Sequence, residues 1–243
     1  MRRTLSHETG VETTRPGVAR SLLATTLLAV VLLLSACGRG EVPATDPDSA
    51  SAAEFVWPSG PRPVVTLEIE GRGPITIELF PELAPKTVAN FMALAEQDFY
   101  DGTTFHRVVP GFMIQGGDPN SRDRDPHNDG FGGPGHTIPD ELNPAPHVRG
   151  AVSMAKTGAA NSGGSQFFIV EQDSPQLDGK YSLFGRVIDG MAIVDAISAV
   201  EVDVHGRWGR PDRPLENVVI RDVVIGGAGA AIAGSPGEPS AAR

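Results

Sequence analysis

The sequence predicts a mainly β domain, an antiparallel barrel or sandwich, and three observations carry that prediction. Val65, Leu67 and Ile69 alternate with Thr66, Glu68 and Glu70. The alternation resumes through Ile75, Ile77 and Leu79 after a Gly-rich turn, which is the pattern of a hairpin with one buried face. Further apolar runs, at 104–109, 151–154, 166–170, 182–188 and 218–225, are short and separated by turn residues. Only two segments, "APKTVANFMALAEQ" and "MAIVDAISAV", carry apolar residues at helical spacing. Many strands with two helices favour an antiparallel barrel or sandwich over an alternating α/β sheet.

The elements follow in chain order. Arg2, Arg3, Arg15 and Arg20 precede the uncharged run "SLLATTLLAVVLLLSAC", residues 21–37. A membrane-spanning helix needs about 20 apolar residues, so this run is short for a span and has the layout of an export signal. Its end, Leu34, Ser35, Ala36 and Cys37, resembles the lipobox of bacterial lipoproteins, in which the cysteine is lipidated and becomes the first residue. That resemblance implies a signal peptide over 1–36, lipidation at Cys37, and an exported chain anchored to the membrane outside the cytoplasm. Residues 37–62 are rich in Pro, Ser, Ala and acids and read as a flexible linker. Residues 63–226 are one domain's length, and 227–243, mostly small residues with Gly and Pro, read as a disordered tail.

Within the domain the hairpin comes first. A helix follows, in which Val88, Phe91, Leu94 and Ala95 share a face and Pro85 stands in the first turn, where its missing N–H is harmless. The second helix runs through Ile193, Val194 and Ile197. The 30 acidic and 20 basic residues give a formal charge of -10, and the bases form no stripe that could follow a phosphate backbone. Nucleic acid is therefore not an expected partner. The single cysteine excludes an internal disulfide framework and a zinc site with paired cysteines.

Strand parity locates candidate chemistry. It puts Phe105, Arg107 and Val109 on one face and His106 and Val108 on the other. Gln166 and Phe168 fall together, opposite Phe167 and Ile169, and Met113 pairs with Gln115 in the same way. Three segments thus offer a hydrogen-bonding group beside an apolar one on an outer face, where solubility alone does not ask for the apolar partner.

The stretches "FHRVVPGFMIQGGD", "GPGHTIPDE", "SMAKTG…NSGGSQFFI" and "LDGKYSLFGRV" together resemble the cyclophilins, the peptidyl-prolyl cis-trans isomerases, over residues 64–225. The resemblance implies a closed eight-stranded antiparallel barrel capped by two α-helices, with the site in a groove on its outer wall. It implies no cofactor and no metal, a proline-containing peptide segment as the ligand, and a monomer. Carried over position by position, Arg107 matches the catalytic arginine and Gln115 the glutamine that orients it. Phe112, Met113, Phe168 and Leu177 match the pocket for the proline ring. Ala155, Lys156 and Gln166 match the rim that holds the preceding residues, and His106 and Tyr181 match edge positions, with a structural role for His106 an equal alternative. Three positions depart from the common pattern: Gln176 stands where tryptophan is frequent, Tyr181 where histidine is, and Lys156 where asparagine is. The first departure implies weak cyclosporin binding with activity retained.

Other chemistries fit less well. The Asp-rich loop "NSRDRDPHNDGF" suggests calcium, but a hand-type loop starting at Asp125 needs an acidic ligand at its twelfth position, where His136 stands. A solvated loop bordering the substrate is the better reading. "NSGGSQ" lacks the G-x-S-x-G elbow of a serine hydrolase. A proline-peptide binding module without useful catalysis would keep the groove, but retention of both Arg107 and Gln115 favours an enzyme.

Overall fold

A computed structural model describes residues 55–226. The expected signal peptide, Cys37, the first part of the linker and the tail at 227–243 lie outside the described residues.

Strands β1 (Val64–Ile69) and β2 (Gly73–Leu79) form the predicted hairpin, with Leu67 opposite Ile75 and Val65 opposite Ile77. Helix α1 (Pro85–Ala95) follows, then β3 (Arg107–Val109), β4 (Met113–Gly116), β5 (Ala151–Met154), β6 (Phe167–Val170) and β7 (Leu183–Asp189). Helix α2 (Met191–Ser198) leads to a short hairpin of β8 (Val202–Asp203) and β9 (Arg213–Pro214), and β10 (Ile220–Gly226) ends the domain. Eight strands form one antiparallel sheet in the order β10-β1-β2-β7-β5-β6-β4-β3.

The sheet curls around an apolar interior but is not fully closed, so the expected closed barrel overstates it. Edge strands β3 and β10 share no ladder. The gap between them is bridged by the segment before β3. Gly102 N–H donates to the Ile220 carbonyl (2.8 Å), Ile220 N–H to Thr103 (2.8 Å) and Phe105 N–H to Val218 (2.9 Å). The chain then changes partner, because Val108 N–H donates to Asp212 (2.8 Å). That change breaks the alternation predicted across 105–109. Phe105 and Val108 both enter the interior, so Phe105 does not share a face with Arg107.

Two apolar layers result. The inner one joins Val65, Leu67, Ile75, Ile77, Phe105, Ile114, Phe167, Ile169 and Phe184 with Val88, Phe91 and Leu94 of α1 and Val194 and Ile197 of α2. The outer one covers the other face of β4, β5 and β6 with Phe80, Met113, Ala145, Phe168, Val170, Leu177 and Leu183. Every residue of β5 and β6 is consequently buried. The outer layer also takes up residues that the sequence reading assigned to the linker. Phe55 meets Trp57 edge-on at 5.1 Å between centroids, and Trp57 lies 5.3 Å from the Phe80 ring. Arg62 is 5% exposed, pairs with Glu78 at 3.2 Å and Glu82 at 3.3 Å, and covers the Phe80 ring.

Candidate active site

Directly opposed residues of an antiparallel ladder point to the same face. Arg107 on β3 lies opposite Gln115 on β4, Gln115 opposite Phe168 on β6, and Phe168 opposite Ser153 on β5. One row across four strands therefore sets a guanidinium, an amide and an aromatic ring side by side on the outer wall. The next row places Val109, Met113 and Val170 together. The turn after β4 must be glycine at position 117, because its φ is +82° and a Cβ there would stand 2.5 Å from the Ser165 carbonyl oxygen.

The expected residues divide into two adjoining groups. His106, Arg107, Gln115, Ala155, Lys156 and Gln166 line a cavity of about 720 Å³, together with Phe131 and Asp212. Phe112, Met113, Phe168, Leu177 and Tyr181 belong to the outer apolar layer beside it, and Ala155 touches both. His106 thus lies on the cavity side with Arg107, contrary to the parity argument, because the alternation is interrupted just before β3.

Among the described residues, the side-chain partner of Arg107 is Asp212, with Nε 3.6 Å from Oδ2. No hydrogen bond joins Arg107 to Gln115. The Gln115 Nε2 instead donates to Gln166 Oε1 (2.9 Å), and Gln166 Nε2 donates to the Gly132 carbonyl (2.9 Å). Lys156 Nζ is 2.6 Å from Asp140 Oδ2 and 5.9 Å from the centre of the Tyr181 ring, so its side chain as well as its backbone shapes the rim. His106 is 4% exposed, and neither ring nitrogen has a hydrogen-bond partner. Burial pushes its imidazole below the usual histidine range, against the upward pull of Asp118 and Asp129.

The apolar side is held by polar groups beneath it. His147 stacks on Phe168 with 6.1 Å between centroids, and Tyr181 meets Phe168 edge-on at 5.3 Å. Asp178 Oδ1 accepts from the His147 backbone N–H (2.7 Å) and Nδ1 (2.9 Å). The remaining nitrogen, Nε2, lies 2.9 Å from Ser153 Oγ, so the neutral ring accepts from the hydroxyl. Burial also pushes His147 below the ordinary range, with Asp178 opposing. Ser153 is fully buried, so this serine, histidine and aspartate brace the wall and present no nucleophile.

The Asp-rich loop borders the cavity through Gly130 and Phe131 and uses two of its acids internally, Asp123 accepting from Asp125 N–H (2.7 Å) and Asn128 Nδ2 (2.9 Å) and Asp125 from His127 N–H (3.0 Å). Asp118 accepts from the N–H groups of Asn120 (2.9 Å) and Gly130, and Asp129 pairs with Arg213 at 2.7 Å. Among the described residues, no three His, Cys, Asp or Glu side chains converge to hold a metal ion. The sequence reading missed Asp212, His147 and Asp178. All three act through partners distant in the chain, and "GRPDRP" carries a turn signal but nothing that names Arg107.

The geometry is a donor-bearing cavity beside an apolar pocket, and comparisons with known proteins supply the family. The family profile described as cyclophilin type peptidyl-prolyl cis-trans isomerase/CLD matches residues 64–225. A peptidyl-prolyl cis-trans isomerase of Synechococcus elongatus is 51% identical over 123 residues, covering 51% of this chain and 79% of the relative. Peptidyl-prolyl cis-trans isomerase B of Bacillus subtilis is 48% identical over 136 residues, covering 55% and 90%. The crystal structure of a cyclophilin-type isomerase of Cryptosporidium parvum superposes with a TM-score of 0.60 at 34% identity, covering 68% of this chain and 98% of that one. A structure of the same parasite enzyme in the presence of the dipeptide Ala-Pro gives a TM-score of 0.59, at 34% identity and over 67% and 98% of the two chains. The curled sheet and these likenesses agree: the chain belongs to the cyclophilin-type peptidyl-prolyl cis-trans isomerases.

Proposed function

We propose that the chain acts on X-Pro bonds of exported proteins, as a lipid-anchored folding factor, with Arg107 as its catalytic group. Rotation about an X-Pro bond is opposed by amide resonance, with a barrier of roughly 18–20 kcal/mol, and the uncatalysed half-times are about tens to hundreds of seconds. No covalent bond breaks. The twisted transition state loses the resonance and leaves a lone pair on the prolyl nitrogen. A donor that meets this lone pair stabilises the twisted form more than the planar ground state, which is the condition for acceleration. A guanidinium suits the task, being permanently charged and carrying several donors in one plane.

The observation that carries this reading is the cross-strand row itself. Arg107, with its side chain 43% exposed, stands two strands from Phe168, so a proline ring seated on Phe112, Met113, Phe168 and Leu177 brings its nitrogen toward the guanidinium. Gln115, in the intervening position, holds the peptide backbone and limits the arginine's movement. Ala155, Lys156 and Gln166 receive the residues before proline, while His106 and Tyr181 border the site. The Ala-Pro dipeptide present with the parasite relative supports a proline peptide as ligand here. Residues 1–37, with their arginines, apolar run and Cys37, support export and lipidation.

The test is a protease-coupled or NMR exchange assay on an X-Pro peptide. Losing one transition-state donor costs on the order of 10²–10³ in rate, and Arg107→Ala is expected to lower kcat/KM by that factor. A fully active Arg107→Ala defeats the catalytic assignment. Radiolabelled fatty acid should enter the wild-type chain in cells and be absent from Cys37→Ala. Label retained by that variant removes the anchor.

A further inference from the structure

We infer that Asp212 is a positioning residue for the isomerisation, fixing the guanidinium of Arg107 from its Nε side. The inference rests on the assignment of Arg107 as the catalytic group and deepens it. Among the described residues Asp212 is the ion-pair partner of Arg107, at 3.6 Å from Nε, and both residues line the same cavity. Meeting the guanidinium at Nε leaves its two terminal nitrogens to other partners, on a residue that lines the cavity. Among the described residues no acceptor engages them.

The backbone around Asp212 is built to deliver this carboxylate. Its φ is +65°, a left-handed conformation that few residues other than glycine adopt and that Asp and Asn tolerate best. Its N–H donates to the Asp203 carbonyl (2.9 Å), and its own carbonyl accepts from the N–H of Val108, the residue after Arg107 (2.8 Å). The Asp212 main chain is therefore tied to β3 one residue from the arginine that its side chain faces. The next residue, Arg213, is held by a partly buried ion pair to Asp129 at 2.7 Å. Asp203, at the base of the same hairpin, is buried and accepts from Trp208 N–H (2.7 Å). These ties hold the segment on both sides of Asp212, so its carboxylate is placed before substrate arrives.

A partly exposed ion pair is worth little to stability, because water screens it and two side chains lose freedom. Its effect falls on the geometry of Arg107 in the transition state, where a small misplacement is costly. Asp212→Asn keeps size and left-handed tolerance while removing the charge, and Asp212→Gly keeps the backbone while removing the side chain. Each is expected to lower kcat roughly tenfold. KM for an X-Pro peptide should change less than twofold, and the thermal midpoint should stay that of wild type. The Arg107 Nε–H resonance should shift and exchange faster with solvent in both variants. In an Arg107→Ala background, adding Asp212→Asn should lower the residual rate no further. Wild-type kcat together with an unmoved Arg107 resonance overturns the inference, and so does an equal fall of kcat in the Arg107→Ala background. If Arg107→Ala is itself inactive while Asp212→Asn and Asp212→Gly are normal, the catalytic assignment stands and only the role of Asp212 fails. A fully active Arg107→Ala defeats both.

Discussion

Phe167 and Phe168 are neighbours on one strand, yet they serve opposite sides of the sheet by different physics. Phe167 is fully buried among rings, 5.5 Å from Phe91, 5.8 Å from Tyr100 and 6.3 Å from Phe105, each pair steeply inclined. Among the described residues its contacts are ring edge to ring face, with no hydrogen-bonded side chain behind them. The polar atom in that cluster, the Tyr100 hydroxyl, has no hydrogen-bond partner, and burial lifts its phenol far above the usual range. Phe168 is 5% exposed and lies against His147, which Ser153 and Asp178 hold by hydrogen bonds. The interior is set by volume and apolar area, which many arrangements satisfy. A pocket wall open to solvent cannot rely on enclosure, so its rings are oriented by bonds that have direction.

The largest test of this contrast replaces each ring with alanine. Phe167→Ala leaves an enclosed cavity and is expected to cost about 3–5 kcal/mol. Phe168→Ala opens onto the groove, where the loss is closer to the transfer term alone, about 1.5–3 kcal/mol. Activity should show the opposite order. At temperatures where both variants stay folded, Phe168→Ala loses kcat/KM through the proline pocket while Phe167→Ala retains it. Urea unfolding beside the isomerase assay measures both quantities. Equal losses of stability and activity in the two variants would erase the distinction.

The same contrast explains what the sequence made legible. Burial of Val65, Leu67 and Ile69 and of Ile75, Ile77 and Leu79 follows from period-two alternation, and the helical spacing of Val88, Phe91 and Leu94 marks the inward face of α1. The common face of Met113 and Gln115 on β4 also follows from parity, but the register that sets Gln115 opposite Phe168 is a long-range pairing with no local pattern. Parity failed at His106, where the backbone changes hydrogen-bond partner from Val218 to Asp212, a long-range event with no local pattern. The docking of Trp57 on Phe80 was hidden for a related reason. Its segment has no period, and an isolated aromatic in a Pro- and Ser-rich stretch reads as linker until its receptor surface exists. Asp212 and His147 belong to the same class, since what they do is defined by residues elsewhere in the chain.

A smaller effect sharpens the comparison at α1, which faces the interior yet is capped from outside it. Ala84 at the N-cap position has no side-chain acceptor, and the first turn carries no acid. Glu141, from the loop leading to Ala145 and His147, supplies both. Its carboxylate accepts from Lys86 N–H (3.0 Å), Thr87 N–H (2.8 Å) and the Thr87 hydroxyl (2.9 Å). Loss of a helix cap costs about 1 kcal/mol, and the negative charge near the helix N-terminus adds about 0.3–1 kcal/mol. Glu141→Ala is therefore expected to destabilise by about 1–2 kcal/mol, with kcat/KM within twofold of wild type. A denaturation midpoint identical to wild type would show that the remote cap contributes nothing.

The smallest effect requires no substitution and separates the two layers by acid. His106 and His147 lie on the outer side, and both have proton affinities depressed mainly by burial, against the upward pull of Asp118 and Asp129 on one and Asp178 on the other. A depressed histidine binds fewer protons folded than unfolded, so stability rises with pH across the interval between the two affinities. The stabilisation is fully present above the unfolded value of about 6.5. It is lost as pH falls from there toward each lowered folded value. The inner layer contains no group that titrates in this interval, since the Tyr100 phenol is displaced upward. The thermal midpoint should therefore decline below about pH 6.5, and the methyl signals of Met113 and Leu177 should broaden before those of Ile77 and Val108. If inner and outer methyls broaden together, the two layers melt as one unit, and the outer wall has no separate sensitivity to acid.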